Sequence, residues 1–117
     1  MIKGIGIDIV ELSRIEQLLC KNDRFEKRIL TENEQKKMAH FYGRRKVEFA
    51  GGRFAAKEAF AKAAGTGISA SWGFQDIEVI SDESGKPGIV VDGIAESVHV
   101  SISHSQEYAV AQVVLES

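Results

Sequence analysis

Two carboxylates, a lysine and a histidine stand out in this chain for the company they keep. Asp8 lies in Gly4-Ile5-Gly6-Ile7-Asp8-Ile9, on the strand face opposite Ile5, Ile7 and Ile9 and between small neighbours. Such a carboxylate suits a turn or a helix cap, or else a hard cation. Magnesium takes one or two protein carboxylates and fills its remaining positions with phosphate and water. Phe54, Glu58 and Lys62 recur every fourth residue in Phe54-Ala55-Ala56-Lys57-Glu58-Ala59-Phe60-Ala61-Lys62, which stacks them on one helix face. An exposed Glu58–Lys62 pair would contribute only about 0.3–0.5 kcal/mol. The alanine-rich surroundings, and the amides of Gly65-Thr66-Gly67 just beyond, weaken that reading and leave open a second, in which Glu58 shares a cation with Asp8. Lys62 would then meet a phosphate as a point charge. His104 ends an alternating strand between the hydroxyls of Ser103 and Ser105. It is either a partly buried, hydrogen-bonded histidine or an imidazole facing an anion at a sheet edge.

The common nucleotide and hydrolase motifs are missing. Gly4-Ile5-Gly6 lacks the third glycine of a dinucleotide fingerprint, and Gly85-Lys86 lacks the earlier glycine of a P-loop. His40, His99 and His104 show no zinc-ligand spacing, and there is no G-x-S-x-G elbow.

The elements that must position these residues follow from periodicity. Ile5 to Val10 alternates as a strand, and Ser13-Arg14-Ile15-Glu16 reads as a capping box opening a helix with Ile15, Leu18 and Leu19 as its stripe. A short helix with Phe25, Ile29 and Leu30 follows Asp23, and Thr31–Glu34 is a second capping box before a short polar helix. The longest pattern runs from about Arg45 to Ala64, buries Phe49, Ala56, Phe60 and Ala63, and is capped by Gly65. Phe74–Ile80 and Ile89–Val91 read as strands around a turn at Asp82–Gly88. Val98–His104 and Tyr108–Leu115 form an antiparallel hairpin through Ser105-Gln106-Glu107. The expectation is an α+β fold: mainly antiparallel sheet, its last four strands a meander, with one long and several short helices.

With 117 residues, 44% hydrophobic and 27% charged, the chain fits one domain over 1–117 with a thin core. No apolar run can span a membrane and no signal peptide opens the chain, so no membrane partner is expected. The lone Cys20 excludes an internal disulfide framework and fits a reducing, cytoplasmic setting. The net charge of −2 divides into −1 over residues 1–35, +6 over 36–62 and −7 over 63–117. The basic middle calls for an anion, while the whole is too acidic for a nucleic-acid binder. A half-covered sheet of this size would also leave apolar residues for other copies to cover.

Gly6-Ile7-Asp8 with Phe54–Ala59 resembles the paired signature of the phosphopantetheinyl transferases. Gly4–Leu12, Arg53–Ile68, Phe74–Glu78, Gly85-Lys86-Pro87 and Val98–Ser105 resemble its small holo-[acyl-carrier-protein] synthase branch, in order and along nearly the whole chain. The resemblance implies a magnesium-dependent transfer of 4′-phosphopantetheine from coenzyme A to a serine of an apo acyl carrier protein in fatty-acid synthesis. It also implies a homotrimer with sites between subunits. Asp8 and Glu58 would hold magnesium, with Lys62 and His104 completing the catalytic set and Glu58 or a metal-bound water taking the serine proton. Arg53, Gly65, Thr66, His104 and Ser105 would line the coenzyme site, with Arg45, Lys86 and Pro87 towards its nucleotide end. Arg14, Arg24, Phe25 and Arg28 would dock the acidic carrier. The sequence departs from the family in Gly51-Gly52, where Ala-Gly is commoner, and in Ser105, where threonine is common. An extra helical glycine costs about 1 kcal/mol and implies a less stiff helix. The rival reading is a non-catalytic module in which residues 36–62 clasp a nucleotide or an acidic protein; it would not need Asp8 and Glu58 together.

Overall fold

The long helix α4 (Gly43–Ala63) is the element against which both site strands are built. The computed structural model describes residues 1–68 and 72–117. Strand β1 (Ile2–Glu11) leads into α1 (Leu12–Lys21), α2 (Arg24–Ile29), α3 (Glu32–Met38) and then α4. A 3₁₀ turn at Phe74–Asp76 precedes β2 (Ile77–Ser81), β3 (Pro87–Val91), β4 (Ser97–His104) and β5 (Tyr108–Glu116).

Among the described residues the strands form two sheets, not a four-strand meander. β1, β5 and β4 make an antiparallel sheet in that order, and β2 pairs only with β3. The first strand thus pairs with the last, placing Asp8 opposite Ala111 and His104 opposite Ala109. The α+β class stands, and no helix among the described residues is long and apolar enough to cross a membrane.

The β1 alternation has an unexpected orientation. Ile5, Ile7 and Ile9 are 61%, 59% and 62% exposed, while the Gly4-Gly6-Asp8 face packs on α4. A Cβ at Gly6 would lie 2.7 Å from Ala63 N and closer still to the Ala59 carbonyl, so only glycine lets the two backbones approach. The Gly51-Gly52 pair serves packing too: a Cβ on Gly51 would lie 2.8 Å from Leu12 Cδ2, and on Gly52 3.2 Å from Ile102 Cγ2.

Of the two capping boxes, Thr31–Glu34 forms and Ser13–Glu16 does not. Helix α1 starts earlier, at Leu12, whose N–H donates to Glu107 O at 2.8 Å. A neighbouring loop thereby does part of what the serine was expected to do. Gly65 behaves as expected, with φ of +85° just past α4.

Candidate active site

The approach of β1 to α4 brings three expected residues together. Gly4 and Gly6 contact Ala63 and Ala59, so Asp8 falls opposite the next turn back, which carries Glu58. Lys62 Nζ donates to Asp8 Oδ1 at 3.0 Å and to Ile7 O at 3.1 Å. The alternative arrangement, a Glu58–Lys62 pair on one helix, does not form; the lysine crosses to the strand. Partial burial, then the Asp8 charge, pushes the Glu58 carboxyl above its ordinary pKa, against the pull of Lys62. Two carboxylates stand beside one ammonium, which bonds to Asp8 and not to Glu58, leaving a deficit of positive charge.

A second cluster lies beyond α4. Arg45, Arg53 and His104 line a cleft of about 420 Å³ with Phe41, Glu48 and Ile102. Arg45 stands over the Phe41 ring at 4.9 Å and Arg53 over Phe49 at 4.1 Å. Arg53 donates to Ser81 Oγ at 3.3 Å, but its Nε is buried without a partner, and burial lowers its pKa. His104 Nδ1 sits 3.5 Å from Glu48 Oε2, so the imidazole faces the cleft mouth and is not a core residue.

Other expected coenzyme residues lie around these two clusters. Gly65 and Thr66 follow α4 on the Lys62 side, where the Thr66 hydroxyl donates to Gly67 O at 3.0 Å. Pro87 opens β3 opposite Ser81, while Lys86 N donates to Asp82 Oδ1 at 2.9 Å in the turn whose Gly85 lines the cleft. Ser105 has a local role: its Oγ accepts from Tyr108 N at 3.2 Å. Arg44, absent from the expected set, holds this loop through Ser105 O at 3.3 Å and through Gln106 O, and pairs with Glu48 at 3.2 Å.

Arg14, Phe25 and Arg28 line a groove of about 390 Å³ with Ile9, Phe54 and Tyr108. Arg24 begins α2 beside them, and Phe25 stacks on Phe54 at 5.9 Å. Sequence reasoning missed Lys57 and Glu34, a buried pair 2.6 Å apart. Glu34 was legible as a cap, but nothing in the spacing showed that its second oxygen accepts from Val79 N at 2.7 Å or that Lys57 would reach it. Burial lowers the Lys57 pKa, against the charge of Glu34.

Asp8 and His104 both face α4 from the two outer strands, two strand spacings or roughly 10 Å apart across the sheet. Strand β5 lies between their strands, and Asp8, Glu58 and Lys62 do not line the arginine cleft. Fold and site together define an α+β protein with a two-carboxylate centre and a cleft lined by two arginines and a histidine. The chain belongs to the 4′-phosphopantetheinyl transferase superfamily, whose sequence profile matches residues 4–113.

Its relatives narrow the branch. It is 60% identical to the holo-[acyl-carrier-protein] synthase of Halalkalibacterium halodurans, over 99% of this chain and 97% of that one. Its structure is similar to a Bacillus anthracis holo-(acyl-carrier-protein) synthase solved with CoA (3′,5′-ADP), at a TM-score of 0.95 and 57% identity, covering 100% of this chain and 98% of the other. The Helicobacter pylori holo-[acyl-carrier-protein] synthase in complex with coenzyme A matches at a TM-score of 0.86 and 32% identity, covering 96% and 99%.

Proposed function

We propose that a single domain over residues 1–117 transfers the 4′-phosphopantetheine group of coenzyme A to a serine hydroxyl of an apo acyl carrier protein, releasing adenosine 3′,5′-bisphosphate. The observation that carries this reading is the meeting of Asp8, Glu58 and Lys62 where β1 presses on α4, in a chain similar from end to end to relatives of that activity.

The serine oxygen attacks the phosphorus that bears the pantetheine arm, and the bond from that phosphorus to the bisphosphate oxygen breaks. Phosphoryl transfer asks for positioning and charge neutralisation more than covalent help. Lys62, fixed by Asp8 and Ile7, supplies a cation to the leaving phosphate. The serine proton passes to a base at the same centre, for which Glu58 is the candidate side chain. Arg45, Arg53 and His104 supply positive charge and donors for the nucleotide end of the coenzyme. Gly65, Thr66, Lys86, Pro87 and Ser105 complete the set assigned to the coenzyme in this reading.

The donor set fits magnesium: two hard carboxylate oxygens with excess negative charge, the kind of partial shell that pyrophosphate and water complete. Asp8 and Glu58 would hold the ion, which when bound neutralises charge on the pyrophosphate.

Two observations favour sites shared between copies of the chain in a homotrimer. Within one chain the arginine cleft is not lined by Asp8, Glu58 or Lys62. The isoleucine face of β1 is apolar and uncovered, as a sheet awaiting a partner would be. A cytoplasmic location belongs to the same reading and fits a chain with one cysteine.

Incubation with apo carrier, coenzyme A and magnesium, followed by mass spectrometry of the carrier, tests the proposal. One phosphopantetheine added per carrier is the expected result; tight binding without a mass gain would favour the non-catalytic module. Asp8→Ala and Glu58→Ala should each abolish the gain.

A further inference from the structure

Helix α2 carries Arg24, Phe25 and Arg28, yet it is only six residues long. So short a helix does not persist alone in water, and its last carbonyls have no partners within it. Side chains from elsewhere take these oxygens. Gln75, in the 3₁₀ turn, donates its side-chain amide to Lys27 O at 2.9 Å, Arg28 O at 3.2 Å and Leu30 O at 2.7 Å, two hydrogens shared among three acceptors. From below, the buried Lys57 ammonium takes the one between them, Ile29 O, at 2.6 Å. Lys57 also donates to Phe74 O at 3.0 Å, and the Phe74 ring packs on Phe54 at 5.5 Å with Arg28 above it at 6.0 Å. The helix end, the turn and the groove floor are thus tied through two donors, one of them at the surface.

We propose that Gln75 is a positioning residue for carrier recognition: by capping the C-terminal end of α2 it holds Arg24, Phe25 and Arg28 as a preformed docking face. The inference rests on the transferase reading above. Without the cap the charges stay on the chain, but α2 frays and the carrier must order it on binding, which weakens binding without touching the reacting atoms.

The test is Gln75→Leu, close in size and neutral but without donors, with Gln75→Ala as a second variant. Three shared hydrogen bonds on one helix end correspond to a rise of about tenfold in the carrier KM, with kcat and the coenzyme A KM held within about twofold. Hydrogen exchange at the Lys27 and Leu30 amides should accelerate while α4 and β5 stay protected. The salt sensitivity of the carrier KM should persist, because the arginines remain; a merely destabilised protein would not show this split. A carrier KM within about twofold of the parent in both variants, or parallel losses in kcat and both KM values, would overturn the proposal. A parent chain that transfers nothing would instead overturn the transferase reading, and this inference with it, an outcome that the parent reaction alone identifies.

Discussion

Lys62 donates to Asp8 at 3.0 Å, across two elements, and not to Glu58 one turn back on its own helix. That choice couples the strand to the helix at the centre of the site. It also leaves Glu58 partly buried beside a like charge, which is why its pKa is raised. A surface ion pair of this kind stabilises by about 1 kcal/mol or less, so its value lies in placing Asp8.

The first prediction concerns Glu58 and pH. A carboxyl whose folded pKa lies above its unfolded one makes the native state bind more protons between the two values, so stability falls as pH rises through that window. Glu58→Gln should therefore raise the midpoint of thermal unfolding at neutral pH, change it little at pH values below the ordinary glutamate range, and abolish transfer. In a side-chain NMR titration, Asp8→Asn should lower the Glu58 pKa and Lys62→Met should raise it. A Glu58→Gln protein less stable than the parent at neutral pH would contradict the charge arrangement.

Gly6→Ala should be among the most damaging small substitutions in the chain. The added methyl meets the Ala59 carbonyl and lies 2.7 Å from Ala63 N, both backbone atoms that cannot swing away. Overpacking of this kind costs about 1–3 kcal/mol or more. Chemical denaturation should show the loss, and transfer should drop further than stability alone explains, since β1 must retreat and carry Asp8 away from Lys62.

The docking arginines should act on the carrier and spare the coenzyme. Arg14→Glu plus Arg28→Glu is expected to raise the carrier KM at least about tenfold, with the coenzyme A KM nearly unchanged. Added salt should reproduce part of the effect in the parent, because exposed charges are screened over about 8–10 Å at physiological ionic strength. Unchanged carrier kinetics in the double variant would move the docking face elsewhere.

Assembly makes a fourth prediction. Ile7, 59% exposed on the open sheet face, should lie between subunits, so Ile7→Glu should yield monomers in light scattering that transfer nothing. Mixing inactive Asp8→Ala with inactive Arg45→Glu protein should restore activity after subunit exchange, since each supplies the half of the site that the other lacks. A fully active parent that scatters as a monomer would refute shared sites.

The amino-acid sequence alone determined the kinds of residue the chemistry needs and most of the elements that carry them. The four-residue spacing of Glu58 and Lys62, the Thr31–Glu34 capping box, the Gly65 cap and the β4–β5 hairpin are local patterns, and local backbone preferences decide them. What the tertiary structure decided was every relation between distant segments. That β1 joins β5, that its isoleucines face outward, that Lys62 chooses Asp8 and that Ser13 is displaced as a cap by Glu107 all depend on which surfaces meet. Period two separates the faces of a strand but does not say which face is inward. Here two glycines settled it, because only their face can approach α4 closely enough. The same holds for Lys57, whose type and place on the helix say nothing of burial. Only the convergence of Ile29, Glu34 and Phe74 at one point makes a buried ammonium tolerable, since each of its three hydrogens finds an oxygen there.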